Sequence, residues 1–204
     1  FYGESGTGKE MFAQSVHNAS KRAGRPFLAI NCAAIPENLL ESLLFGTEKG
    51  AYTGAECRPG LFEQANGGTL LLDEINSMNI NLQSKLLRVL QDGVIRRVGG
   101  ADEIYVDVRV LSNINTPPYQ AIEENKLRRD LFYRLGVVNI TIPPLRERKE
   151  DIPVLAKYFM MRYNEKLSRS IQDVDQEVLR RFQAYNWPGN CLLYTSPSPR
   201  DLST

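Results

Sequence analysis

Gly3-Glu4-Ser5-Gly6-Thr7-Gly8-Lys9-Glu10 has the spacing GxxxxGK of a phosphate-binding loop. The glycines let successive backbone N–H groups curl around phosphate oxygens. The helix that follows presents its positive N-terminus to the same anion. Lys9 would reach the β- and γ-phosphates of a nucleoside triphosphate. The plainer alternative is a glycine turn before a helix. A Ser or Thr usually follows the lysine and binds Mg²⁺, and Glu10 stands there instead. A carboxylate can also approach Mg²⁺, directly or through water, so the role of Glu10 stays open.

A second stretch, Thr69-Leu70-Leu71-Leu72-Asp73-Glu74, is an apolar run ending in paired acids. Alone, such a pair can be a helix cap. Downstream of a phosphate loop it reads as a Walker B strand, with Asp73 holding the Mg²⁺ shell and Glu74 polarising the attacking water of ATP hydrolysis. A third stretch, Gly50-Ala51-Tyr52-Thr53-Gly54-Ala55, sets one aromatic ring and one hydroxyl among small residues. It reads either as an ordinary flexible loop or as a tip that grips a partner when the loop moves.

Around these motifs, hydrophobic periodicity predicts a helix over 9–22 with Met11, Phe12, Ser15, Val16 and Ala19 on one face. It also predicts a strand over 27–31, a helix over 39–45, a glycine-rich loop over 46–54 and a buried strand over 69–72. A helix carries Leu82, Leu86, Val89 and Leu90. Segments 94–98 and 104–108 could pair as a hairpin. Strands over 109–112 and 137–142 follow, then helices over 151–166 and about 175–185. Strands alternating with helices imply an α/β class with a parallel sheet flanked by helices. The all-helical character after Arg146 implies a small lid.

Composition narrows the function. The chain has 204 residues, 42% of them hydrophobic, and a net charge of +1. There is no basic field for nucleic acid and no helix-turn-helix or zinc-finger pattern. Cys32, Cys57 and Cys191 form no CxxC pair, which fits a reducing cytoplasm. His17 sits in a helical pattern without a metal-ligand partner at useful spacing. No apolar run approaches the ~18 residues of a membrane span, and no signal peptide is visible.

The stretches GESGTGKE, LFGTEKGAYTGA, GGTLLLDEI, LRRDLFYRL, PPLRERKEDI and NWPGN stand in the same order as in sigma-54-dependent transcription activators. The sequence resembles their central AAA+ ATPase domain over residues 1–190. The run FGTEKGAYTGAECRPGLFEQANGGTLLLDEINSMN is similar to activators of arginine and other amino-acid catabolism. The resemblance implies a ring ATPase, hexameric, that binds ATP and Mg²⁺ and remodels the closed promoter complex of sigma-54 RNA polymerase. It implies that the loop from Gly50 to Ala55 contacts sigma-54, with Tyr52 in place of the family's phenylalanine. It further implies that Asn31 restrains Glu74, that Asn115 is a polar sensor beside Ile114 where the family has threonine, and that Arg128 and Arg134 serve the neighbouring subunit's nucleotide. Without that context, the two arginines read as surface ion pairs on a short basic helix. DNA would be held only by a helix-turn-helix domain outside this chain.

The resemblance stops after Trp187-Pro188-Gly189-Asn190, where a sensor arginine would fall at Leu192. The expected organisation is an α/β core over 1–144 beginning at the phosphate loop, a partial helical lid over 145–190, and a disordered, foreign tail over 191–204. Two rival classes share these motifs. One is an AAA+ remodeller with another client, and the other is a nucleotide-binding module that no longer hydrolyses ATP.

Overall fold

The computed structural model describes residues 1–194. The described residues divide into two compact units, one of Phe1–Tyr2 with Lys9–Thr141 and the other of Gly3–Gly8 with residues 142–194.

The first unit is built on a parallel sheet of β1 (Phe27–Asn31), β4 (Thr69–Asp73) and β7 (Arg109–Ser112), with β4 in the middle. Phe27 lies opposite Thr69 and Asn31 opposite Asp73, while Thr69 lies opposite Arg109 and Leu72 opposite Ser112. Side chains alternate faces along a strand. Leu70 and Leu72 therefore share one core with Leu40 and Leu44 of α2 (Glu37–Phe45), Phe62 of α3 (Leu61–Gln64) and Leu82 and Leu86 of α4 (Ile80–Asp92). Thr69 faces the other way and meets α1 (Lys9–Asn18), where its Oγ1 lies 2.9 Å from His17 Nδ1. His17 is thus a buried tie between helix and sheet.

Two small antiparallel pairs complete the sheet-bearing half: β2 (Gly46–Thr47) with β3 (Arg58–Pro59), and β5 (Val94–Ile95) with β6 (Ile104–Tyr105). The helix α4 starts where Asn79 Oδ1 accepts from Leu82 N at 2.6 Å. It stops at Gly93, whose φ of 67° is left-handed. Helices α5 (Pro118–Glu123) and α6 (Arg129–Leu135) follow.

The second unit holds 3₁₀ turns at Leu145–Glu147 and Lys149–Asp151, then α7 (Ile152–Leu167), α8 (Gln176–Ala184) and a 3₁₀ turn at Asn190–Tyr194. Its small core is Leu145, Ile152 and Trp187, with Leu155 and Phe182 packed against them. The Trp187 indole donates to Phe182 O at 2.7 Å.

Several expectations are corrected here. Helix α1 ends at Asn18 and buries Lys9, Ala13 and His17, while Met11 and Phe12 are exposed. The buried stripe runs at i, i+4 and i+8, one helical step from the apolar one, because the sheet takes the side that carries His17. Residues 137–142 do not form a strand. Thr141 alone bridges, to Tyr2, and Val137 and Val138 stand exposed with no ladder beside them. The loop expected over 46–54 begins with β2. The division into units falls between Thr141 and Ile142, and Gly3–Gly8 joins the helical unit, where side chains hold it. Residues 191–194, expected to be disordered, belong to a 3₁₀ turn, and 195–204 lie outside the described residues.

Because Leu72 fills the centre of the main core at 0% exposure, Leu72→Ala should lower the unfolding free energy by about 2–5 kcal/mol. Urea denaturation is the measurement. The midpoint should fall with its slope unchanged, and a midpoint within error of wild type would show that β4 is not the centre of the core.

Candidate functional site

Asn31, Asp73, Glu74 and Asn115 lie at the carboxyl ends of the parallel strands. This is where open α/β sheets expose loops and polar groups. Lys9 begins α1 and is largely buried. Burial pushes its ammonium below the usual lysine range, while Asp73 and Glu74 pull it back up. Asp73 ends β4, and its Oδ1 accepts from Glu74 N at 3.1 Å. Glu74 adopts a left-handed backbone with φ of 51°. A non-glycine residue held there stores strain of roughly 1–3 kcal/mol, of the kind that collects at functional sites. That turn ends the strand abruptly and leads into the 3₁₀ turn Ile75–Ser77.

Asn31 ends β1 beside Asp73. Its Oδ1 accepts from Ala33 N at 2.9 Å and Ala34 N at 3.2 Å, capping its own turn. In this conformation that oxygen is committed to its own loop and not to Glu74. Asn115 follows β7, and its Oδ1 accepts from Thr116 Oγ1 at 3.3 Å and, at the long distance of 3.5 Å, from Asn76 Nδ2. Asn115 therefore touches the turn that leaves Glu74. Ile114, at the threonine position, is buried and bridges Tyr2.

Arg128 is the N-cap of α6 and Arg134 lies in its last turn. Arg128 makes a bidentate pair with Asp130, at 3.0 and 2.7 Å. Arg134 donates twice to Leu90 O, at 3.2 and 2.7 Å. Both arginines are thus engaged within the chain itself.

The loop from Gly50 to Ala55 is an exposed tip. Tyr52, Thr53 and Gly54 stand in solvent and Ala55 is buried at the root. Gly50 and Gly54 both have left-handed backbones, with φ of 86° and 83°. Ala55 N donates to Tyr52 O at 2.9 Å, which closes the tip. The stem is held by Arg97, missed in the sequence reading. Its guanidinium takes Glu63 at 2.9 and 2.6 Å and Glu48 at 2.9 Å. Glu63 is held below the usual carboxylate range chiefly by that bond.

Within the second unit, Gly6 and Gly8 are left-handed, with φ of 78° and 92°. A side chain on Gly6 would meet Gly189 O at 2.5 Å, whereas one on Gly8 would meet nothing within 4 Å. The loop is therefore tight on one side and open at its end. Thr7 Oγ1 donates to Glu4 O at 2.8 Å, and Arg148 donates to Thr7 O at 2.7 Å. Glu4 accepts from both Nη atoms of Arg146, at 2.9 and 2.6 Å, and this pairing holds its carboxyl below the usual range. Asn190, wholly buried, donates to Ser5 O at 3.0 Å and accepts from Leu145 N at 2.7 Å. Cys191 N donates to Gly6 O at 3.0 Å. So Glu4 and Ser5, expected among ligand-binding residues, are also the points where the loop is fastened. Glu10 is exposed, one residue past Lys9. The fasteners Arg146, Arg148 and Asn190 lie in quoted stretches, yet nothing in their spacing pairs them with a loop over 140 residues upstream.

The sigma-54 interaction domain matches residues 1–141, and the AAA+ ATPase lid domain matches residues 146–191. The chain belongs to the sigma-54 interaction domain family. Among its relatives, the transcriptional activator RocR of Bacillus subtilis is 55% identical over 188 residues, covering 92% of this chain and 41% of RocR. The DNA-binding transcriptional regulator NtrC of Rhizobium meliloti is 51% identical, covering 92% of this chain and 39% of NtrC. The crystal structure of NtrX from Brucella abortus in complex with ADP matches with a TM-score of 0.86 at 39% identity, covering 95% of this chain and 42% of NtrX. NtrX in complex with ATP matches with a TM-score of 0.85 at 39% identity, covering 95% of this chain and 44% of NtrX. The chain thus spans about two fifths of the length of the curated relatives it matches.

Asn190→Ala would strip Ser5 O of a donor and leave Leu145 N buried without an acceptor. A lost bond of this kind costs about 1–3 kcal/mol. Amide exchange across 3–8 should therefore accelerate on the order of tenfold to a hundredfold, read by mass spectrometry. Unchanged exchange would show that Asn190 does not fasten the loop.

Proposed function

We propose that this chain is the ATP-hydrolysing segment of a sigma-54-dependent activator, acting as a ring of identical subunits on the closed complex of sigma-54 RNA polymerase in the cytoplasm. The observation that carries this reading is the exposed Tyr52-Thr53 tip, braced by Arg97 on the same unit that holds Lys9, Asp73 and Glu74 at its strand ends. A lysine within electrostatic reach of two carboxylates suits a triphosphate with its metal, since the anion and cation would complete the charge balance. The left-handed, open-ended Gly8 suits the close approach of phosphate oxygens.

The residues divide the work by chemistry. Gly3, Glu4, Ser5, Gly6, Thr7 and Gly8 supply backbone to the phosphates of ATP, and Lys9 supplies charge. Asp73 would hold Mg²⁺ through its water shell, with Glu10 as a further carboxylate within one residue of Lys9. Bound Mg²⁺ would neutralise charge on the phosphates. Glu74 orients and polarises water. Its strained backbone fixes where that carboxylate can point. Asn31 serves as a restraint on Glu74 once its own turn opens, and Asn115 reports on the site through Asn76. Arg128 and Arg134 are supplied to the adjacent subunit, an arrangement worth about 10³–10⁵ in rate where an arginine acts in trans. The tip of Gly50, Ala51, Tyr52, Thr53, Gly54 and Ala55 carries the result to sigma-54. Promoter DNA is held by a helix-turn-helix domain elsewhere in the protein.

In the full-length protein, Glu74→Ala should keep ATP binding within about threefold of wild type and lose hydrolysis by about 10²–10⁴, the usual span of a general base. Equilibrium binding and phosphate release measure the two separately, and turnover at the wild-type rate would remove Glu74 from this role. Thr53→Ala should leave ATP turnover intact and abolish open-complex formation, scored by permanganate reactivity of promoter DNA. Parallel losses of both would make the loop a structural element and not a coupling one.

A further inference from the structure

Gln83 is a wholly buried polar side chain of the sheet-bearing unit. It lies on α4, has 0% exposure, and uses both ends of its amide. Its Nε2 donates to Met78 O at 2.7 Å and to Lys126 O at 2.8 Å. Its Oε1 accepts from Arg128 N at 2.9 Å. Burying a primary amide in an apolar core is unfavourable unless such bonds are made. If packing alone were required, a leucine or methionine would fill the same volume without that cost. The three bonds join two places that matter. Met78 is the root of α4, reached from Glu74 through the 3₁₀ turn Ile75–Ser77. Lys126 and Arg128 are the backbone that enters α6. A second tie runs between the same two helices, from the Arg134 guanidinium to Leu90 O. The segment that presents Arg128 is therefore fixed to the helix that leaves Asp73 and Glu74, at both ends of α6.

We infer that Gln83 is a positioning residue. It locks the backbone of Arg128, which serves the neighbouring subunit's nucleotide, to the helix that follows Glu74 in its own subunit. This rests on the trans role of Arg128 given above. Through this lock, a displacement of α4 caused by one subunit's nucleotide moves the arginine offered to the next. Coupling between adjacent sites then needs no element beyond α4, Gln83 and α6.

The test is subunit mixing with the full-length protein. Gln83→Met removes all three bonds and keeps the volume. Rings of Gln83→Met should bind a fluorescent ATP analogue within about threefold of wild type, because Lys9 and Asp73 are intact. Their kcat should fall at least tenfold with KM within about threefold. Mixed with Lys9→Ala subunits, which bind no nucleotide but carry a correctly held Arg128, they should regain activity, since a Gln83→Met phosphate loop then faces a sound arginine. A defect confined to the subunit's own site would not be rescued this way. No recovery, while the control mixture of Arg128→Ala with Lys9→Ala does recover, overturns the inference and leaves the trans arginine standing. No recovery in the control overturns the trans arginine itself. If Gln83→Met rings do not assemble, Arg128→Ala rings carry the question, because they keep the backbone N–H that Gln83 holds. Amide exchange over residues 126–129 should differ at least threefold between ADP and a non-hydrolysable ATP analogue. Identical exchange in the two states overturns the inference.

Discussion

The core buries the central strand β4 up to its carboxyl end, and the rest of the first unit is arranged around that constraint. Thr69, Leu70, Leu71 and Leu72 are each at 0% exposure, and the next two residues are Asp73 and Glu74. Hydrogen bonds from β1 and β7 on both sides leave β4 no freedom to shift along its axis. Sliding it by one residue would exchange Leu70 and Leu72 with Leu71 between opposite faces. The positions of Asp73 and Glu74 are therefore set by core packing and not by local loop preference. The left-handed turn at Glu74 then discharges the chain sideways into α4. Lys9 comes within electrostatic reach of both carboxylates because α1 packs on the face of β4 that presents Thr69 to His17.

The second unit solves a different problem, which is to hold a loop rich in glycine. Gly3–Gly8 has little side-chain volume of its own, so a packed core cannot fix it. Hydrogen bonds do so instead: Arg146 on Glu4, Arg148 on Thr7 O, Asn190 on Ser5 O and Cys191 N on Gly6 O. Asn190 is itself in a left-handed backbone with φ of 50°, as is Trp187 with φ of 48°. The turn carrying the Pro188-Gly189 pair is what brings the Asn190 amide inward, and the Trp187 ring packed on Phe182 and Tyr185 anchors that turn. The NWPGN stretch is thus a mechanical device of an indole anchor, a tight turn and an amide fastener.

Much of this was legible in the sequence because its signals are local. The GxxxxGK spacing, the apolar run before Asp73 and the Gly-Gly between two strand-like segments each carry their own geometry. What was not legible depends on partners distant in the chain. Met11 and Phe12 look like a buried stripe, yet Lys9, Ala13 and His17 are the buried face, because the contact is chosen by Thr69. Val137 and Val138 look like a strand, yet a strand is a property of its neighbours, and only Tyr2 bridges there. Gln83 looks like one more solvated residue of an amphipathic helix. Its burial is decided by Lys126 and Arg128, more than 40 residues away. Arg97 likewise reads as half of a basic pair until Glu48 and Glu63 close on it.

The own-subunit contacts of Arg128 and Arg134 bear on how a ring could assemble. Arg128 is paired with Asp130 two residues on, in a position where both side chains reach solvent. An exposed pair of this kind is held weakly and exchanges readily for a better anion. Under the trans role proposed for Arg128, a neighbouring subunit's triphosphate would offer more charge than one carboxylate, and the side chain would leave Asp130 while its backbone stays on Gln83. Asp130 would then serve as a place-holder that keeps the guanidinium near α6 between encounters. Arg134 differs, since its partner is a backbone carbonyl at the end of α4. Releasing it uncovers Leu90 O and loosens one of the two ties between α4 and α6. A ring that engages Arg128 alone would keep α6 rigid, whereas one that engages both arginines would let α6 pivot about Gln83. The separate chemistry of the two contacts therefore gives the two arginines separate consequences, although they lie on the same short helix.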